Sequence, residues 1–127
     1  MSFILDISSH GHGKTTRLVE FARSRINVGK PCLIILPSDI HINKLKLLLK
    51  ECNSDLFAIV EFDKIDKITN SELMNLNKSM FLYDDFDYYI DKINPEWLTF
   101  KGYYAATPIG KSPAQCINNL MSKILCK

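Results

Sequence analysis

The sequence predicts an α/β fold in which a parallel sheet is layered between helices, in one domain spanning residues 1–127. Three observations lead there. Short apolar runs recur along the chain, separated by stretches whose apolar residues repeat at helical spacing; that alternation makes a parallel sheet wrapped by helices. The run CLIILP is continuously apolar, as a strand covered on both faces is. The chain has 127 residues, 46% hydrophobic and 24% charged, which is a globular balance with room for one core.

The elements follow in order. FILDIS (3–8) reads as a first buried strand. After a polar loop, Leu18, Val19, Phe21, Ala22 and Ile26 recur at helical spacing from Thr15 onward, and Gly29 is a natural stop. CLIILP (32–37) is the second strand. Ser38 or Asp39 can cap a helix whose stripe is Leu45, Leu48, Leu49 and Cys52, with Lys44, Lys46, Lys50 and Glu51 turned outward. LFAIVEF (56–62) is the third strand, and a short helix is expected near 71–76. MFLYDDFD (80–87) is a fourth strand ending in acids. Asn94-Pro95 reads as a helix start and GYYAATP (102–108) as a fifth strand halted by Pro108. Ser112-Pro113-Ala114-Gln115 is a capping box that opens a last helix with Ile117, Leu120, Met121, Ile124 and Leu125 on one face.

Composition narrows the class. A net charge of +2 neither demands nor excludes a nucleic-acid partner, since a local patch can sit within a balanced total. Cys32, Cys52, Cys116 and Cys126 show no C-x-x-C spacing and no accompanying histidine pair, so buried free thiols in a reducing compartment are expected rather than a zinc site. The N-terminus lacks the pattern of a signal peptide, and no apolar run reaches membrane-span length. A cytoplasmic protein without a membrane partner is the expectation.

The chemistry is concentrated in SSHGHGKTT (8–16). Gly13, Lys14 and Thr15 match the end of the phosphate-loop pattern G-x-x-x-x-G-K-[ST], while Ser8 stands at the first glycine. The stretch follows an expected strand and opens an expected helix, where backbone N–H groups and the helix dipole can hold phosphates. Gly11 and Gly13 permit close backbone approach. Lys14 is expected to reach the terminal phosphates and the Thr15 hydroxyl to coordinate Mg²⁺. The plain alternative is a tight strand–helix turn with a solvated lysine. The expected nucleotide-binding set is Ser9, His10, Gly11, His12, Gly13, Lys14, Thr15 and Thr16. His10 and His12 could contact phosphate or a partner, but read first as exposed loop residues.

A triphosphate cradle needs an acid at the tip of a neighbouring strand to hold the metal through water and polarise the attacking water. FLYDDFD supplies two. Asp84 is expected on the metal with Thr15. Asp85 is the candidate general base and, with Lys14, the catalytic pair. A solvated or helix-capping acidic loop is the alternative.

GHGKTT, CLIILPS, FLYDDFD and YYAATP look, in that order, like the successive motifs of the N-terminal RecA-like domain of superfamily 2 helicases and phage terminase ATPases. Each motif is loose, their order carries the resemblance, and it covers roughly residues 3–110. It implies a RecA-like P-loop core and ATP with Mg²⁺ as ligands. It also implies a γ-phosphate sensor at Thr107, which stands in AATP where the family has a Ser/Thr-rich motif. An ordinary strand and turn is the alternative for that stretch. The sequence departs from the family at Asp85, where a glutamate is usual. It departs again in its arginines: Arg17, Arg23 and Arg25 all lie on the first helix. A second RecA-like domain is not in the sequence, and neither is an adenine-reading segment ahead of the first strand. An arginine finger is therefore expected from a protein partner or a second subunit.

Two functional classes compete. One is a Mg-ATP-binding ATPase acting in nucleic-acid transactions, on DNA or RNA. The other is a helicase-like regulatory module that has lost turnover and docks on a larger machine. A small nucleotide kinase ranks below both, because no arginine follows Arg25 to build a lid. Lys44, Lys46, Lys50, Lys64 and Lys67 read as a solvated face before they read as phosphate contacts. The aromatic residues between Tyr83 and Tyr104 read mainly as core.

Overall fold

A computed structural model describes residues 3–9 and 11–126. Among the described residues there are five strands: β1 (Ile4–Ile7), β2 (Cys32–Leu36), β3 (Phe57–Glu61), β4 (Met80–Tyr83) and β5 (Tyr103–Ala106). All pairings are parallel, in the order β1-β5-β4-β2-β3. The α-helices of the described residues flank the sheet: α1 (Lys14–Asn27), α2 (Ile42–Leu48), α3 (Phe86–Tyr89) and α4 (Pro113–Leu125). The alternating apolar pattern is thus realised as a parallel α/β fold.

The core has two halves, one on each side of the sheet. On one side, Leu18, Val19, Ala22 and Ile26 of α1, with Leu45 and Leu49, pack on Cys32, Ile34, Leu36, Leu82 and Ala105. On the other, Cys116, Leu120 and Ile124 of α4, with Phe86 and Tyr89, cover Leu33, Ile35, Phe81, Tyr83 and Tyr104. Successive strand residues face opposite sides. Every residue of β2 and β4 is buried, as a continuous apolar run requires when both faces are covered.

Most caps act as the sequence implies. Gly29 closes α1 at φ 77°. The Ser112 hydroxyl accepts from the Gln115 amide and the Gln115 side chain returns the bond, giving α4 its capping box. The Asn94 side chain accepts from the Glu96 amide over a single 3₁₀ turn, Pro95–Trp97.

Several local expectations are corrected. The helix expected near 71–76 is a series of turns. Asn70 and Asn75 accept from the backbone N–H groups of Glu72 and Asn77, and such side-chain bonds compete with helix formation. A 3₁₀ stretch, Phe62–Lys67, precedes them instead. Leu48, the last residue of α2, is exposed, and the segment begins as a 3₁₀ turn, Asp39–His41, whose N-cap Ser38 makes no side-chain cap bond. The fourth strand stops at Tyr83, not at 87. Asp85 adopts a left-handed conformation, φ 51° and ψ 45°, and α3 starts immediately after it. The four thiols are free, but Cys126 is exposed and Cys52 half-buried, so only Cys32 and Cys116 match the expected burial.

Gly102 is fixed by packing. A Cβ there would lie 2.8 Å from Tyr104 Cε1, 2.9 Å from Tyr83 Cε1 and 3.1 Å from the Phe81 carbonyl oxygen. The two tyrosine rings are stacked face to face, centroids 4.2 Å apart, and neither can yield without disturbing the sheet. Gly102→Ala is expected to destabilise the protein by about 2 kcal/mol. A drop in the urea midpoint at unchanged slope checks it.

Candidate functional site

All strands are parallel, so their carboxyl ends share one edge of the sheet, the usual location of ligand crevices in such folds. Ser8 leaves β1 there, Asp84 leaves β4 and Thr107 leaves β5. β5 lies between β1 and β4, which sets Thr107 between the loop strand and the acid strand. Ile7 pairs with Ala106, and the Ser8 amide still donates to the Ala106 carbonyl at 3.1 Å, so Thr107 flanks Ser8 directly.

The loop delivers its backbone to this edge. Gly11 and Gly13 take φ of 83° and 75°, values that glycine adopts without cost. Gly13 is the N-cap of α1 and no side chain caps it. The Arg17 amide is bonded to the Gly13 carbonyl. The amides of Lys14, Thr15 and Thr16 precede the first intrahelical bond and form the positive end of the helix dipole. Ser9, Gly11, His12, Gly13 and Thr16 are exposed, while Lys14, Thr15 and Thr107 are half-buried. His10 lies outside the described residues.

Lys14 spans from the loop to the acid strand. Its Nζ bonds the Asp85 carboxylate and lies 3.9 Å from Asp84 Oδ1. Burial pushes the Lys14 ammonium pKa down, opposed by the charges of Asp84 and Asp6. The Thr15 hydroxyl lies near enough to the Asp84 carboxylate to favour its ionised form slightly. The structure therefore brings Lys14, Thr15, Asp84 and Asp85 together. Asp87, the third acid of the cluster, turns away to Lys111 at 3.0 Å.

Asp84 carries the sharpest energetic signal. Its side chain is only 6% exposed, and Oδ1 is buried without a hydrogen-bond partner. Burial raises its pKa above the ordinary carboxyl value, with Lys14 pulling the other way. A buried, unmatched carboxylate oxygen costs stability, and such costs gather at ligand sites. In the folded state the ionised form is the disfavoured one, so the cost is absent below the ordinary value of 3.8 and grows as pH rises through the raised one. Asp84→Asn is therefore expected to stabilise the ligand-free protein by roughly 1 kcal/mol at neutral pH, with the gain vanishing in acid below the ordinary carboxyl range. Denaturation curves on either side of that range check the sign.

Thr15 and Asp84 offer oxygen donors of the kind a divalent cation takes. The donor set is hard oxygen, a hydroxyl beside a carboxylate with a spare lone pair, as Mg²⁺ prefers. Among the described residues no cluster of three or more His, Cys, Asp or Glu side chains forms a complete metal cage. A cation held by Thr15 and Asp84 thus needs water and a ligand's phosphate oxygens for the rest of its shell.

Sequence reasoning passed over one part of the site. Arg17 on α1 reaches back to β1, where its Nε and Nη2 donate to Asp6 at 2.8 and 2.9 Å. The Tyr103 hydroxyl also donates to Asp6, at 3.2 Å. The Arg17 hydrogen bond is the main cause that holds the Asp6 carboxyl below its usual range. The available signal was a lone acid inside the apolar run ILDI, with an arginine one turn into the next helix. The other two arginines serve the scaffold: Arg23 bonds Glu20 and the Leu48 carbonyl, and Arg25 bonds the Pro31 carbonyl.

The remaining surface points elsewhere. Lys44, Lys46, Lys50, Lys64 and Lys67 are exposed. Tyr83, Phe86, Tyr89, Tyr103 and Tyr104 are buried, while Tyr88 is exposed. An apolar cavity of about 480 Å³ lies near the amino ends of β4 and β5, lined by Leu76, Phe100 and Ile124 among others, away from the loop. Among the described residues no helix is long and apolar enough to cross a membrane. No protein-family model matches the chain, and neither a curated protein nor a solved structure matches it significantly.

Proposed function

We propose that the chain binds a nucleoside triphosphate with Mg²⁺ at the Ser9–Thr16 loop and hydrolyses it slowly, as a RecA-like P-loop ATPase. The observation that carries this reading is the meeting of Lys14, Thr15, Asp84 and Asp85 from two strand ends that are not adjacent in the sheet. Charge complementarity supports it: uncapped amides and an ammonium offer positive charge, and a buried carboxylate waits for a cation beside them.

The residues divide the work. The amides of Gly13 to Thr16 and the Lys14 ammonium bind the β- and γ-phosphates. Thr15 and Asp84 hold the metal, which neutralises phosphate charge when bound. Asp85 takes the proton of the attacking water. Thr107, between the two strand ends, reports the γ-phosphate to the segment leading into α4. Lys14 must leave Asp85 as phosphate arrives, so binding frees the base. ATP is the proposed nucleotide by resemblance, and nucleic-acid work with DNA or RNA is the proposed setting. An arginine from a partner or a second copy completes the site, since Arg17, Arg23 and Arg25 are already engaged.

A second reading has its own observation. Asp85 is a non-glycine residue in the left-handed region and is tied to Lys14. A shorter acid held this way fits a module that binds nucleotide and does not turn it over. Phosphate release from Mg-ATP, measured over a range of protein concentrations, decides between them. Slow, EDTA-sensitive release that rises with protein concentration is the expected result. Tight binding with release at background selects the non-hydrolysing module, and neither binding nor release refutes both.

A further inference from the structure

We propose that Arg17 is the positioning residue of the phosphate loop, a clasp that does the work of the missing first glycine. The inference rests on the nucleotide-binding reading for its function but not for its structural content. One guanidinium holds both arms of the loop. Nη2 donates to the Ser8 hydroxyl at 3.0 Å where the loop leaves β1, and Nη1 donates to the His12 carbonyl where the loop enters α1. The guanidinium is itself anchored in a two-pronged bond to Asp6 of β1, and Asp6 is held from β5 by Tyr103. A planar fork with fixed N–H directions can make this set of bonds, and an ammonium cannot.

Two consequences follow for the loop. Among the described non-glycine residues only Asp85 has positive φ, so Ser8 sits where any residue is at ease and a glycine is not required. The Ser8 hydroxyl then adds an acceptor that glycine lacks. The second consequence concerns His12. C=O and N–H point in opposite directions across a trans peptide. Holding the His12 carbonyl therefore turns the Gly13 N–H away from the guanidinium and keeps a phosphate-repelling carbonyl out of the cradle. A Cβ at Gly13 would stand 3.5 Å from Arg17 Nη1, so the clasp closes directly under the residue that opens the helix. The clasp acts on the phosphate contacts and not on a base, so its loss weakens nucleotide and bare polyphosphate alike.

The experiment compares wild type, Arg17→Ala, Arg17→Lys, Ser8→Gly and the Ser8→Gly, Arg17→Ala double variant in two ways. Millisecond hydrogen exchange without ligand reads residues 8–17 against β2 and α4. Titration with Mg-ATPγS and with Mg-tripolyphosphate reads binding. The clasp predicts faster exchange in 8–17 for both Arg17 variants with β2 and α4 unchanged. It predicts affinity for both ligands lower by about tenfold, the loss of roughly one net charge-assisted bond. Ser8→Gly shows a smaller loss that disappears in the Arg17→Ala background. Unchanged loop exchange in Arg17→Ala, or full recovery of exchange and affinity by Arg17→Lys, overturns it. If wild type binds neither ligand, the nucleotide reading fails and the exchange result alone still decides for or against the clasp.

Discussion

Lys14→Ala is expected to weaken Mg-ATPγS binding by about 100-fold. A charge-assisted hydrogen bond contributes about 1.5–3 kcal/mol, and each 1.4 kcal/mol is a factor of ten. Two effects of this site push the loss toward the upper end. The variant removes the cation that approaches both acids, so Asp85 then faces incoming phosphates unscreened. It also leaves the buried Asp84 carboxyl without its nearest counter-charge, which drives the carboxyl further toward its neutral form and weakens its hold on a metal. Calorimetric titration of the variant beside wild type checks it. The urea midpoint shows whether the variant is still folded when it fails to bind. Equal affinity in the two proteins means that phosphate does not meet Lys14.

Asp85→Asn is expected to separate binding from chemistry. The substitution keeps the shape of the side chain, and asparagine tolerates the left-handed backbone that Asp85 adopts. It removes the proposed base and the charge that ties Lys14 down. Nucleotide affinity should therefore hold or rise, while phosphate release falls by about 100- to 10,000-fold, the contribution of a positioned general base. Calorimetric titration measures the affinity, and stopped-time phosphate assays on protein saturated with Mg-ATP measure the turnover. A parallel fall in binding and turnover assigns Asp85 to the ligand cradle. Undiminished turnover removes it from the chemistry.

The sequence made the layers legible because its signals were local. The continuous apolar runs of β2 and β4 became strands buried on both faces, while those of β1 and β3 are mostly half-buried, and Gly29 and the Ser112 box ended and began helices where their chemistry says they must. Near 70–77 the apolar spacing of Leu73 and Leu76 was real, but asparagine side chains took the backbone donors first. Short-range hydrogen bonds of that kind leave no periodicity to read. The glycine-containing loop and the acid pair were legible as separate motifs. Their meeting depends on strand order, which places one strand between them and is a long-range property. The Asp6–Arg17 pair spans 11 positions across a loop and matches no periodic template, so only the packed structure reveals that Ser8 has a partner.

The nucleotide-binding reading is tested most directly by calorimetric titration of the purified protein with Mg-ATPγS, with Lys14→Ala as the control. The account predicts saturable heat at one site per chain that requires Mg²⁺ and is lost in the control. A flat titration at millimolar nucleotide, or heat that Lys14→Ala reproduces, contradicts it.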